Sequence, residues 1–391
     1  MRILVLGAGR MGLGAAFDLA HNSADVEKVT LADLDEGRAR AVAQTIAHDK
    51  IKTARVDVSN YEQVVQLMRG HDGAISCVTY IHNYDLARAA IEARVNFCDL
   101  GGNNTIVAQE LALDEQARKA QINIIPDCGL APGMVSVLVA HGAARFEELE
   151  AIHIRVGGLP QEPKPPLNYQ LTFSVEGLIN EYIELARVIR NGEITEVESL
   201  TEIESLRFPA PFNKMEAFQT SGGTSTLPQT FAGRVRELDY KTIRYPGHCV
   251  QFKLLTDLGL ASSEIIEIDG VSTTPRRVLA EMLQRRLPAD EPDVVLVRVE
   301  FRGVIKRERN DTNTNNIQTT LRYQIIDRFD EQTRLSAMMR TTSFPASIIA
   351  QMMARGEIEE RGAIPQESAI PSARFIAELD ARNIKIHEEQ Y

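Results

Sequence analysis

At 391 residues, with 44% hydrophobic and 25% charged side chains, the chain has an ordinary globular composition and exceeds one typical core, so two domains are expected. Its net charge of −11 argues against partners that need clustered Lys and Arg, so neither nucleic acid nor a membrane is expected as a ligand. No apolar stretch approaches the roughly eighteen residues of a membrane span, and the chain opens on strand-forming residues rather than a basic and apolar leader, from which a reduced, cytoplasmic protein is expected.

Met1-Arg2-Ile3-Leu4-Val5-Leu6 is an apolar run of strand type that turns through Gly7-Ala8-Gly9-Arg10-Met11-Gly12 into a helix-forming stretch, Leu13 to Ala20. A second strand, Val29 to Ala32, ends in Asp33. This is the order of a mononucleotide-binding unit. Gly7 permits the sharp turn, Gly9 lets a pyrophosphate approach the backbone, and Gly12 lets helix and strand pack closely. The helix start offers N–H groups and a positive dipole end to phosphates. Asp33 can accept both hydroxyls of an adenosine ribose and would repel a 2′-phosphate, so NAD is the expected cofactor. The alternative is a Rossmann domain that holds no nucleotide.

Glu36 to Ala47 suits a helix and Thr53 to Val58 a strand. Asp57, at that strand's end, fits the adenine amino group or, equally, the N-cap of a helix Tyr61 to Met68. Asp72 to Val78 reads as a fourth strand, and Thr79-Tyr80-Ile81-His82-Asn83 after it faces the crevice at the carboxyl ends of the strands, where ligands bind in such sheets. Strands Asn96 to Leu100 and Asn123 to Asp127 alternate with helices Tyr84 to Ala93 and Asn104 to Lys119, giving an α/β, doubly wound parallel sheet. Arg10, Met11, Val58, Cys77 and Val78 complete the expected cofactor set.

Gly129-Leu130-Ala131-Pro132-Gly133 breaks this pattern and starts a helix, Met134 to Arg145. A strand Ala151 to Val156, a Pro-rich loop Gly157 to Pro166, a strand Tyr169 to Ser174 and a long amphipathic helix Val175 to Arg190 are expected next. Gly192 to Tyr245 is too long for one loop and must carry elements that its weak periodicity hides. Val294 to Phe301, a turn Asn310 to Asn316, Thr319 to Asp327 and Arg334 to Thr342 read as an antiparallel meander, followed by helices Ser347 to Ala354 and Ser372 to Asp380. The expected domains are a Rossmann NAD-binding domain (1–148), an inserted α+β substrate and dimerisation domain with an antiparallel sheet (149–344), and C-terminal helices returning to the first domain (345–391). Cys77, Cys98, Cys128 and Cys249 form no C-x-x-C pair, so small core residues are expected rather than a disulfide framework or a metal site.

Asp127-Cys128-Gly129-Leu130-Ala131-Pro132-Gly133-Met134, Gly157-Gly158-Leu159-Pro160, Phe173-Ser174-Val175-Glu176-Gly177 and Lys241-Thr242-Ile243-Arg244-Tyr245-Pro246-Gly247-His248, in that order behind the glycine turn, make the chain resemble the saccharopine dehydrogenase-like oxidoreductases over nearly its whole length. Within that family it looks most like the lysine 6-dehydrogenase branch. Ala131 and Val156 stand where the saccharopine-forming reductases typically carry Asp and Cys. Ser221 to Leu227 and Pro165 to Tyr169 resemble the lysine-dehydrogenase pattern.

The resemblance implies oxidative deamination of the ε-amino group of L-lysine, with ammonia released and the aldehyde closing to a cyclic imine. A base must deprotonate the ammonium, hydride must leave the ε-carbon, and water must hydrolyse the imine. Candidate bases are His82, Tyr80 and Asp127; the competing readings are a hydrogen-bonded structural histidine for His82 and a helix cap for Asp127. Arg244 is expected to grip the substrate carboxylate, or else to be a surface residue on a strand. Glu176 either holds a substrate ammonium or complements a helix dipole. His248 is expected to line the site, and Gly157 and Gly158 to let substrate or nicotinamide approach. The alternatives are a reductase acting on saccharopine or a related amino acid, and an NAD-sensing protein without turnover. A homodimer or dimer of dimers through the meander is expected.

Overall fold

The computed structural model describes residues 1–306 and 317–391, and the chain divides into two compact units: Met1–Ala144 with Met339–Lys385, and Arg145–Met338 with Ile386–Tyr391. The expected turn at Asn310 to Asn316 lies outside the described residues.

The first unit runs β1 (Arg2–Leu6), α1 (Arg10–His21), β2 (Lys28–Asp33), α2 (Glu36–Ile46), β3 (Ile51–Arg55), α3 (Tyr61–Met68), β4 (Gly73–Ser76), α4 (Asn83–Ala93), β5 (Asn96–Asp99), α5 (Asn104–Leu111), α6 (Asp114–Ala120), β6 (Asn123–Ile125) and α7 (Met134–Ala143). The strands lie in the order β6-β5-β4-β1-β2-β3, all parallel, which is the doubly wound arrangement. Strand order reverses between β1 and β4, so their carboxyl ends open the crevice where such sheets bind ligands. Leu4, Leu6, Ala74 and Phe97 are fully buried and pack with Val64, Met68 and Leu86 from the covering helices.

In the second unit β7 (Phe146–Pro160) leads to α8 (Val175–Ile183), β8 (Ala186–Arg190), β9 (Glu193–Val197), β10 (Glu204–Arg207), β11 (Lys214–Gln219), α9 (Leu227–Phe231), β12 (Glu237–Arg244), α10 (His248–Asp257), the hairpin β13 (Ile266–Ile268) and β14 (Val271–Thr273), α11 (Pro275–Arg286), β15 (Asp293–Ile305) and β16 (Gln318–Arg328). The chain then enters α12 (Ala337–Ala354), β17 (Gly362–Ala363), α13 (Gln366–Ala369), α14 (Ser372–Ala381) and β18 (His387–Gln390). β17 adds to the first sheet beside β6, in parallel. Among the described residues the second sheet has nine strands, seven on the path β10-β11-β12-β7-β15-β16-β18, with β8 on β12 and β9 on β8. Among the described residues, only β7 and β12 pair in parallel within it. Tyr169, Leu178, Ile179, Tyr182, Phe252, Leu279 and Leu283 form a core between α8, α10 and α11.

Several expectations need correction. Gly157 to Pro160 are the end of β7, not a loop, because Asp293 to Leu296 of β15 pair with them. Tyr169 to Ser174 is not a strand. The long helix from Val175 stops at Ile183, where Glu184 turns extended, and Ala186–Arg190 becomes β8 because Val188 and Ile189 bury on the sheet. Arg334 to Thr342 is no third strand: α12 starts at Ala337, where Asp293 Oδ1 and Oδ2 accept from Ala337 N (2.6 Å) and Met338 N (2.9 Å). The helix expected from Ser347 therefore begins ten residues earlier, with Pro345 inside it. β3 ends at Arg55, so Asp57 and Val58 follow the strand, and Asn104 to Lys119 is two helices. Among the described residues, no helix is long and apolar enough to cross a membrane.

Candidate active site

The glycine turn of the first unit has the steric profile of a phosphate cradle. Gly7 has φ +99°, and a Cβ there would sit 2.9 Å from the Cys77 carbonyl oxygen and 3.0 Å from Val78 Cγ1. A Cβ on Gly12 would lie 1.8 Å from the Gly7 carbonyl oxygen, so helix and strand pack there without room. At Gly9 nothing lies within 4 Å of an added Cβ. Gly9 is also the N-cap of α1, whose first turn has no side-chain cap and no acidic residue. Open space and an uncapped helix start fit a pyrophosphate. Arg10 and Met11 are the first two residues of that helix.

Asp33 ends β2, and its carboxylate is held by Ala8 N on Oδ2 (2.7 Å) and Asp35 N on Oδ1 (2.9 Å). Each oxygen keeps a further lone-pair direction for a ribose hydroxyl. Asp57 accepts from Ser59 N (2.9 Å) and Ser59 Oγ (2.6 Å), and these bonds hold its carboxyl below the usual range. It does not cap α3: Asn60 does, accepting from Gln63 N at 3.1 Å. Val58 is half-buried against the core of the unit, and burial raises the Cys77 thiol.

Beyond β4, β5 and β6 the structure gathers Tyr80, the Leu100–Asn103 turn and Asp127. A Cβ on Gly101 would fall 1.7 Å from Asp127 Oδ1, and one on Gly102 would fall 3.0 Å from Tyr80 Cδ1. Both glycines have positive φ, so the turn is threaded between Tyr80 and Asp127. Asp127 is 2% exposed with φ +59°, an uncommon conformation that Asp tolerates. It does not cap α7, whose N-cap is Gly133. His82 is half-buried at the end of the single turn Tyr80–His82, and its charge reaches Asp57.

Sequence reasoning missed two groups here. Asp99, at the end of β5, accepts from Gly101 N (2.6 Å) and Asp127 N (3.3 Å), and Glu110 of α5 is buried beside it. Nothing in the local pattern separates Glu110 from an ordinary acid on a polar helix.

In the second unit, period-two alternation sets Thr242 and Arg244 of β12 on one face of the sheet, with Val156 of β7 beside Thr242. Arg244 is 2% exposed, so the surface reading fails. Its guanidinium lies 4.7 Å from the Tyr169 ring centroid; Nε donates to Tyr182 Oη (2.8 Å) and Nη1 to the Ile243 carbonyl (2.9 Å). Nη2 stands 3.8 Å from Glu181 Oε2, outside hydrogen-bond range. Glu181 accepts from Thr242 Oγ1 (2.6 Å) and Thr220 Oγ1 (3.3 Å). His248 Nδ1 lies 2.9 Å from the Leu167 carbonyl and Nε2 3.0 Å from Tyr182 Oη. For a neutral ring one assignment satisfies both: Nδ1–H donates to the carbonyl, and the tyrosine hydroxyl donates to Nε2. Burial first, and then the Arg244 charge, lower the His248 pKa to about 3. His248 is thus a neutral support for Tyr182 and Arg244, not an acid or base.

Two further sequence expectations change. Glu176 is exposed and paired with Arg276 (2.6 Å), in the first turn of a helix capped by Ser174; the dipole reading fits and the substrate-ammonium reading does not. The carboxylate beside Arg244 is Glu181, one and a half turns further along α8. Gly157 is required by the protein's own packing, since a Cβ there would lie 2.4 Å from the Ile243 carbonyl oxygen, whereas at Gly158 it would first meet the far end of the flexible Met338 side chain, Cε at 2.3 Å.

A family model described as "Saccharopine dehydrogenase NADP binding domain" matches residues 3–125, and one described as "Saccharopine dehydrogenase C-terminal domain" matches residues 129–384. The chain is 21% identical to the mitochondrial alpha-aminoadipic semialdehyde synthase of Rattus norvegicus, over 92% of this chain and 45% of that protein, so it spans about half the length of the first curated relatives it matches. It is 22% identical to the carboxyaminopropylagmatine dehydrogenase of a Synechocystis strain, over 99% of this chain and 97% of that one. Among solved structures, apo saccharopine dehydrogenase (L-Glu forming) from Saccharomyces cerevisiae superposes with a TM-score of 0.81 at 18% identity, covering 100% of this chain and 99% of the other. A homospermidine synthase from Legionella pneumophila in complex with NAD gives 0.71 at 14% identity, covering 100% and 91%. These likenesses show the same fold, a parallel Rossmann sheet followed by a mixed sheet.

Proposed function

The chain belongs to the saccharopine dehydrogenase family, and from that premise we propose that it is a nicotinamide-dependent oxidoreductase that deaminates the ε-carbon of L-lysine, using NAD. The observation that carries the amino-acid reading is the buried Arg244 with Glu181 at 3.8 Å on one sheet face. An amino-acid zwitterion matches this pair: the guanidinium takes the α-carboxylate and Glu181 the α-ammonium. Val156 and Ala131 lack the polar groups typical of saccharopine-forming enzymes, which favours a compact substrate.

NAD is preferred because a 2′-phosphate would meet the Asp33 carboxylate. The matched family model is described as NADP binding, so the choice rests on Asp33 itself. When bound, nicotinamide supplies the acceptor for the hydride. Asp127 or Tyr80, on either side of the Gly101–Gly102 turn, takes a proton from the ε-ammonium. Loss of hydride leaves an imine, and water added to it releases ammonia and the aldehyde. The balance is lysine, NAD⁺ and water to semialdehyde, ammonium, NADH and a proton. We propose that the chain acts as a homodimer, which a mass measurement in solution tests directly.

The second reading is oxidation of a secondary amine that carries a carboxyalkyl group, favoured by the nearly full reciprocal coverage with the Synechocystis enzyme. Purified protein should form NADH from lysine and NAD with release of ammonia. A signal from saccharopine or a carboxyalkylated polyamine, and none from lysine, would replace the lysine reading with the second one.

A further inference from the structure

We propose that Glu110 is a positioning residue whose protonated carboxyl donates a hydrogen bond to Asp99 and thereby fixes the Leu100–Asn103 turn and the backbone of Asp127. The proposal rests on reading that turn as part of the reaction site.

α5 begins at the turn itself: Asn103 caps it, accepting from Thr105 N (3.0 Å) and Ile106 N (3.2 Å). Two turns on, Glu110 points inward with Val107 and is wholly buried. Neither of its carboxyl oxygens, nor Asp99 Oδ2, has an N–H or O–H partner among the described residues. Asp99, also wholly buried, receives the Gly101 and Asp127 backbone amides on Oδ1. Two buried carboxylates in contact cannot both stay ionised, and the proton belongs on the one that no donor stabilises. That is Glu110.

The groups around the pair agree. The charges acting on Glu110 are those of Asp99 and Asp127, and burial, the largest influence, raises it as they do. Burial raises Asp99 as well, to about 6, while the Gly101 and Asp127 amides on Oδ1 act against that rise. From β4 the facing titratable group is Cys77, from β5 Cys98, and after β6 Cys128 with Asp127. α4 contributes the uncharged Asn83, which accepts from Ser76 Oγ at 2.7 Å. With its proton in place Glu110 is a donor to Asp99 Oδ2, the one atom that leaves Oδ1 for the two backbone amides. Gly101 and Asp127 are then held by one carboxylate, whose own orientation Glu110 sets.

The test compares Glu110→Gln, which keeps a donor of the same shape, with Glu110→Leu, which removes it, in the full-length chain. Infrared spectra of the wild type at neutral pH should show the carbonyl band of a protonated carboxylic acid, shifted in heavy water and missing in E110Q. Amide hydrogen exchange at Gly101 and Asp127 should be slow in wild type and E110Q and faster by roughly tenfold or more in E110L, a local-opening effect. In lysine turnover E110Q should keep kcat and its pH profile, and E110L should lose kcat with NAD affinity retained. Absence of the acid band, equal protection in all three proteins, or loss of protection in E110Q overturns the proposal. If lysine proves not to be the substrate, the infrared and exchange results still decide it.

Discussion

Arg244 shows how one side chain gains meaning from its neighbours. Nε and Nη1 are committed to Tyr182 and the chain itself, which fixes the plane of the guanidinium. Arg244→Met should raise the KM for the amino acid by roughly tenfold or more, the usual worth of a charged hydrogen bond, with the Kd for NAD unchanged. Titration calorimetry with NAD and steady-state kinetics with lysine check the two halves. Asp33→Ser should weaken NAD binding and narrow the preference over NADP; an unchanged cofactor ratio would remove Asp33 from the ribose. His248 gives a stability prediction. Its pKa of about 3 lies below the ordinary histidine value, so the unfolded chain binds a proton that the folded chain refuses. Stability should therefore be complete above the ordinary value and fall by about 1.4 kcal/mol per pH unit on acidification toward pH 3. His248→Gln should flatten that slope in urea titrations across the window.

At the scale of elements, the glycines divide by what surrounds them. Gly9→Ala meets nothing and should leave the melting temperature unchanged while weakening NAD binding. Gly157→Ala drives a Cβ against the backbone of Ile243 and should cost about 1–3 kcal/mol of stability, seen as a lower urea midpoint. Sequence pattern alone located β1, α1, β2 and α3 to within a few residues, the first three because a glycine turn between apolar runs is a local signal, although the cap it offered for α3, Asp57, gives way to Asn60. It misread α8 with β8 as one helix: Ala186–Arg190 is strand because it pairs along its length with β9 and, through Ile189 and Arg190, with β12 some fifty residues later. α12 was misread for a related reason, since its cap is the carboxylate of Asp293. Of the proposed site, Arg244 and the glycine turn can be picked out from motif and spacing. Glu181, Asp99 and Glu110 cannot, since burial and carboxylate contact are tertiary facts without a local signature. Glu176→Ala should accordingly leave the amino-acid KM near wild type, and Glu181→Gln should raise it.

For the whole molecule, the decisive property is that the cofactor-binding unit is made from two distant stretches of chain. Asp18, inside α1 and wholly buried, accepts from Ser347 Oγ (2.5 Å) and from Arg382 Nε (2.7 Å), which lies 364 positions away. An uncompensated buried carboxylate costs about 3–5 kcal/mol when its partner is removed. The ribosome therefore emits the glycine turn and its strands long before the cation that lets α1 bury its acid. Until residue 382 has left the exit tunnel, the nascent nucleotide unit is unfinished, however early its sequence appears. A nonsense codon or protease cut near residue 370 should then act as a lesion in dinucleotide binding rather than as the loss of a tail, and the truncated protein should fall to chaperones or proteolysis instead of accumulating as an inert fragment.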